Sequence, residues 1–93
     1  MMKVGDVLRH KHEQLKAGQL SFEQCCRLVL EHCPDEYAKT YAHAGLDPRL
    51  MLDNEYRRVQ CLYVLSNMDR WRGDVAKRVR VNLQRLSKPE AWR

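Results

Sequence analysis

Isoleucine is absent from the 93 residues, and threonine occurs once, at Thr40. The β-branched side chains are therefore confined almost entirely to eight valines, too few to fill the half-buried faces of a sheet. In their place stand Leu, Arg, Lys, Glu, Gln, Met and Ala, residues that lose little rotamer freedom in a helix. The expected fold class is all-α. At this length one domain is expected, covering residues 1–93. Surface scaling has such a chain burying roughly 65% of its unfolded surface, enough for one modest core.

Punctuation divides the chain into about five helices, packed as a compact bundle around a long fourth one. The first is expected over 6–17, with Val4, Val7, Leu8 and Leu15 along one side and Gly18 as its stop. Ser21-Phe22-Glu23-Gln24 reads as a capping box, with Leu20 placed to staple onto Cys25. The second helix then runs to about His32 on a stripe of Cys25, Leu28, Val29 and Cys33. Pro34-Asp35 breaks it and opens a third helix that Gly45 ends.

Asp47-Pro48 has the form of a helix start, a capping carboxylate before proline. A fourth helix is expected from Pro48 to Asp69, with Leu52, Tyr56, Val59 and Tyr63 on one side of its first half. In its second half, Cys61, Leu62, Val64, Leu65 and Met68 fall around much of the circumference. Such a segment is either a buried central helix, with Leu62 or Leu65 fully enclosed, or a helix with one face covered by another subunit. Trp71-Arg72-Gly73 marks the last break, with Trp71 expected to plug the turn. Asp74 then caps a fifth helix over 74–88 whose stripe is Val75, Val79, Leu83 and Leu86. Pro89 stops it and leaves a short tail, 89–93, with Trp92.

The net charge is +5, and its position matters more than its size. Residues 70–93 carry +6, whereas residues 1–69 carry −1. The excess marks a candidate surface for an anionic partner: Arg70, Arg72, Lys77, Arg78, Arg80, Arg85 and Lys88. A solvated face on a terminal helix has the same composition.

Other chemistries find little support. Cys25 and His32, like Cys26 and Cys33, share a helix face but lie seven residues apart, about 10 Å along the axis. Zinc ligands at about 2.0–2.3 Å cannot span that. Only an inter-helix site, such as Cys61 with Cys25 or Cys26, remains open. No phosphate loop, serine elbow or HExxH occurs. No catalytic residue, cofactor, metal or small-molecule substrate is therefore expected. The longest apolar stretch, Cys61–Leu65, is far short of a membrane span. With no signal-type segment or lipidation motif, and adjacent Cys25 and Cys26 ill suited to a disulfide framework, the chain reads as cytoplasmic with reduced thiols.

The stretch Leu62-Tyr63-Val64-Leu65-Ser66-Asn67-Met68, then Trp71-Arg72-Gly73, Ala76-Lys77 and Val79, resembles small uncharacterised helical proteins of phage and prophage gene sets. The opening helix followed by Lys16-Ala17-Gly18 and Leu20-Ser21 is similar to them too. The resemblance implies a small helical accessory protein and assigns no functional residue. The expected function is that of a non-enzymatic protein-interaction module (an adaptor, regulator or inhibitor) whose partner is another protein or a second copy of the chain. The alternative is a nucleic-acid-binding protein using the basic C-terminal helix. No membrane partner is expected.

Overall fold

A computed structural model describes residues 18–50 and 53–92. The helix expected over 6–17 lies outside them. The described residues form four α-helices: α1 (Phe22–His32), α2 (Glu36–Gly45), α3 (Asn54–Ser66) and α4 (Asp74–Leu86). Two short 3₁₀ turns, Pro48–Leu50 and Pro89–Trp92, complete the order, and no strand occurs among the described residues. The fold is all-α.

The helix starts follow local chemistry. The Ser21 hydroxyl accepts from Gln24 N–H at 3.1 Å, and the Gln24 side chain accepts from Ser21 N–H at 2.8 Å, closing the capping box. The Asp35 carboxylate caps α2 by accepting from Tyr37 and Ala38 N–H.

The expected long fourth helix is shorter than its pattern. Asp47 accepts from the backbone of Arg49 at 2.9 Å and pairs with the Arg49 guanidinium at 2.8 Å, which closes a single tight turn. Arg49 thereby holds the Asp47 carboxyl down at about 2. A second capping carboxylate, Asp53, accepts from Tyr56 N–H and starts α3. At its other end, α3 stops at Ser66, and the Asn67 amide donates to Tyr63 O.

The helix α4 begins differently from expectation. Its N-cap is Gly73, at φ 109°, a conformation natural to glycine. Asp74 lies inside the first turn and complements the helix dipole there.

The four helices pack in a ring: α1 on α2, α2 on α3, α3 on α4 and α4 on α1. None is central. The core is filled by Phe22, Cys25, Cys26 and Val29 from α1, Ala38 and Ala42 from α2, Cys61 and Val64 from α3, and Ala76, Val79, Leu83 and Leu86 from α4. Met68 and Trp71 seal the α3–α4 junction, so the indole is the expected plug.

Two expected core assignments are overturned. Leu62 is 43% exposed and Leu65 only partly buried, because the inner face of α3 is Arg57, Gln60, Cys61 and Val64. Val75 is 42% exposed, and Ala76 takes its place on the α4 stripe. Close approach between α1 and α2 is set by Gly45, where an added Cβ would meet the Phe22 ring at 2.6 Å.

The inward turn of Arg57 has a specific basis. Its guanidinium is centred 4.9 Å from the Phe22 ring and 4.9 Å from the Trp92 ring, and it donates to Glu23 at 3.3 Å. Trp92 is anchored by its indole N–H, which donates to Leu86 O at 2.8 Å, and it meets Phe22 edge-on. A desolvated cation between two aromatic faces gains about 2 kcal/mol or more.

Arg57→Ala is expected to destabilise the domain by about 2–5 kcal/mol, the cost of emptying the space of a large buried side chain, since Glu23, 35% exposed, stays in contact with water. Arg57→Lys should recover only part, since ammonium lacks the planar stacking surface. Chemical denaturation of the two variants checks the order. In the same assay Gly45→Ala should cost about 1–3 kcal/mol by overpacking, whereas a good helix former on an unobstructed face would stabilise.

Candidate functional site

Two surfaces compete for a role: the basic C-terminal region and the outer face of α2 and α3. Most of the arginines on α4 turn back onto the chain. Arg85 donates to Leu20 O at 2.7 Å and to Asn82 Oδ1 at 3.1 Å. Asn82, itself buried, accepts from Leu20 N–H at 2.9 Å and donates to Arg78 O. Arg78 donates to Gly18 O at 3.3 Å. Arg80 donates to Trp71 O at 3.1 Å and Met68 O at 3.4 Å. Thus Arg78 and Arg85 hold the entry to α1 against α4, and Arg80 holds the α3–α4 turn.

Four of the seven candidate cations remain directed outward: Arg70, Arg72, Lys77 and Lys88, all exposed. Lys77 lies on α4 and Lys88 just past its end, with exposed Val81 and Gln84 between them. Arg70 and Arg72 border an open groove of roughly 640 Å³ at the start of α4, together with His32 and Asp74. Structure therefore splits the basic set into a fastening group and a thinner, discontinuous outward group.

The four cysteines are free and buried. Burial, followed by the neighbouring Cys61 and Cys25, pushes the Cys26 thiol far above its ordinary range, and burial likewise raises Cys33. Such thiols are poor nucleophiles, since the thiolate is the reactive form. Among the described residues no group of three or more His, Cys, Asp or Glu is arranged to hold a metal ion. Nor, among them, is any helix long and apolar enough to cross a membrane.

The second surface was legible only in part. Residues 59–68 contain no charged side chain. The inner face of α3 takes Gln60, Cys61 and Val64, which leaves Val59, Leu62, Tyr63 and Ser66 outward. Tyr63 stacks on Tyr41 of α2, with ring centroids 5.0 Å apart and planes at 22°. Tyr37, one turn before Tyr41, is 70% exposed, and Tyr63 is 47% exposed. The i, i+4 spacing of Tyr37 and Tyr41 is the sequence signal for this aromatic row.

Lys39 pairs with Glu36 at 3.5 Å on α2, on the side away from the tyrosines, and Arg58 pairs with Glu55 at 2.6 Å on α3. Arg58 also donates to Ser87 O, which ties the pair to α4. The result is an aromatic platform spanning two helices. Comparison with known proteins returns no match, whether to a family model, a curated protein or a solved structure.

The division of the cations has a direct consequence. Arg85→Glu should lower stability by about 1–3 kcal/mol, because Leu20 O loses its donor in a partly buried site. For a domain of this size that is a melting-temperature drop of about 4–8 °C per kcal/mol. Lys77→Glu with Lys88→Glu, equally charge-reversing but on the outward stripe, should melt within error of the wild type by circular dichroism.

Proposed function

We propose that the chain is a small non-enzymatic interaction module that docks on another protein through the α2–α3 face. The observation that carries this reading is the stacked Tyr41–Tyr63 pair, flanked by exposed Tyr37 and Leu62. Tyrosine offers large contact area at low entropic cost and is enriched at interface centres. Pre-stacking removes part of the ordering cost that binding otherwise incurs. The resemblance to phage and prophage accessory proteins agrees with such a role.

Nucleic-acid binding is the second reading, and it rests on Arg70, Arg72, Lys77 and Lys88. Counterion release gives a salt slope near −0.9 per duplex phosphate contacted, so about −3 to −4 for four contacts. Free duplex is expected to bind only in the non-specific range at physiological salt, about 10⁻⁴–10⁻⁶ M.

The two readings separate experimentally. A photo-crosslinking phenylalanine at position 63, introduced in the native host, should give a defined protein adduct. The same group at Gln84, exposed on α4, should give none. Absence of an adduct at position 63 would remove the docking reading. Sub-micromolar, sequence-dependent nucleic-acid binding that is lost on Lys77→Glu with Lys88→Glu would install the alternative.

A further inference from the structure

We propose that the occupant of the α2–α3 face is the same face of a second copy, so that the chain forms a two-fold homodimer. The inference rests on the reading of that face as a docking surface and names its partner. Three observations carry it. The first is the division of α3: its inner arc of Arg57, Gln60, Cys61 and Val64 faces the domain, while Val59, Leu62 and Tyr63 emerge on the other side. Leu62 and Tyr63 are left exposed by the described residues, and an exposed apolar patch of this kind marks an interaction surface.

The second is charge. The chain carries +5 overall, which opposes self-association in general. On the α3 half of this face, however, residues 59–68 carry no charged side chain, Arg58 pairs with Glu55 and Arg57 is buried on Glu23, while Lys39, two residues from both Tyr37 and Tyr41, turns to the far side of α2. The outward lysines stand on α4 and just past its end, and the main packing partners of α4 are α1 and α3. Two-fold pairing through α2 and α3 therefore sets the two aromatic rows together with little like-charge contact. A heterologous acidic partner would be drawn instead to the α4 side, away from the tyrosines.

The third is area. With aromatic side chains contributing about 150–250 Å² each when buried, the exposed parts of Tyr37, Tyr63 and Leu62 amount to roughly 300–350 Å². A standard interface buries about 800 Å² per partner, a little over half of it apolar. The three side chains with the uncovered parts of Val59 and Tyr41 make up most of that apolar share, and the polar rim is supplied by Ser66, Thr40 and the tyrosine hydroxyls. In a two-fold contact each residue is used twice, so one compact platform suffices for a self-complementary interface.

Sedimentation of the full chain tests the proposal. At about 100 μM, above the micromolar Kd expected for an interface at the small end of the range, the mass should be twice the 11.1 kDa of one chain. Tyr63→Lys should return it to that of a single chain, with helicity unchanged by circular dichroism. Tyr37→Lys, on the other helix and more exposed, gives an independent check and should also dissociate the dimer. Lys77→Glu with Lys88→Glu should leave it intact. A wild-type monomer at this concentration overturns the proposal, as does a dimer that survives both tyrosine variants. If the monomer is found while the position-63 crosslink still captures a different protein, docking stands and self-pairing falls. If no adduct forms either, both readings fall.

Discussion

The rest of the structure depends on the burial of one guanidinium. Arg57 is 1% exposed in a domain that has few large side chains to spare. Desolvating an isolated charge costs several kcal/mol unless geometry and partners offset it. Here the offset comes from three places: the Glu23 carboxylate, the Phe22 face and the Trp92 face. Guanidinium is suited to this because it is planar and weakly hydrated. The contact joins α1, α3 and the C-terminal turn in a single stack. It also fixes the rotation of α3. Successive residues on a helix advance by 100°, so with Arg57, Cys61 and Val64 inside, Leu62 and Tyr63 must lie outside. The exposed aromatic face is thus the geometric consequence of a buried arginine.

A second set of polar contacts performs a similar task nearby, at the entry to α1. Asn82 offers a carbonyl to Leu20 N–H, and Arg85 offers a donor to Leu20 O. Together they satisfy both backbone groups of one residue next to the α1 cap. Loop backbone pressed against a core must find such partners. The entry to α1 is short and lacks regular structure of its own, so α4 supplies them. This is why a helix that looks like a ligand-binding surface by charge alone is in large part a fastening. Arginine serves both ends, since its long stem can cross apolar surface while its head reaches a carbonyl.

The features readable from sequence were those set by local chemistry. The capping box at Ser21, the Asp35 cap, the Gly73 break and the Trp71 plug all depend on neighbours within a few residues. Composition alone was enough for the all-α class. The errors occurred where two local signals competed or where the partner was distant. Asp47 and Asp53 are both competent caps, and only the Asp47–Arg49 pair decides that the first closes a turn and the second starts the helix. Val75 and Ala76 are adjacent, and a valine outranks an alanine in any hydrophobic reading. Helix packing favours the smaller side chain where α4 meets its neighbours. Arg57 was invisible because its enclosure requires Trp92, 35 positions further on, and Phe22, 35 positions before it. The same distance hid the tyrosine platform, which exists only once α2 and α3 lie side by side.

Charge and apolar surface are consequently segregated on this small body. The outward cations lie along α4 and at its start, while the uncharged aromatic row lies across α2 and α3. A domain of this size holds a modest core and has limited stability to lose. Its core includes a polar, cationic element that a larger protein would more commonly replace by packed hydrocarbon. Any partner that binds the folded form alone adds stability in proportion to the logarithm of its concentration over Kd. Covering the α2–α3 face would do so where the fold needs it, because Tyr63 lies on the helix that carries Arg57. Docking would then hold α3 in the rotation that keeps the guanidinium between its two rings. The proposed interaction surface and the core are, in this sense, the two faces of one helix, and a change on either is felt on the other.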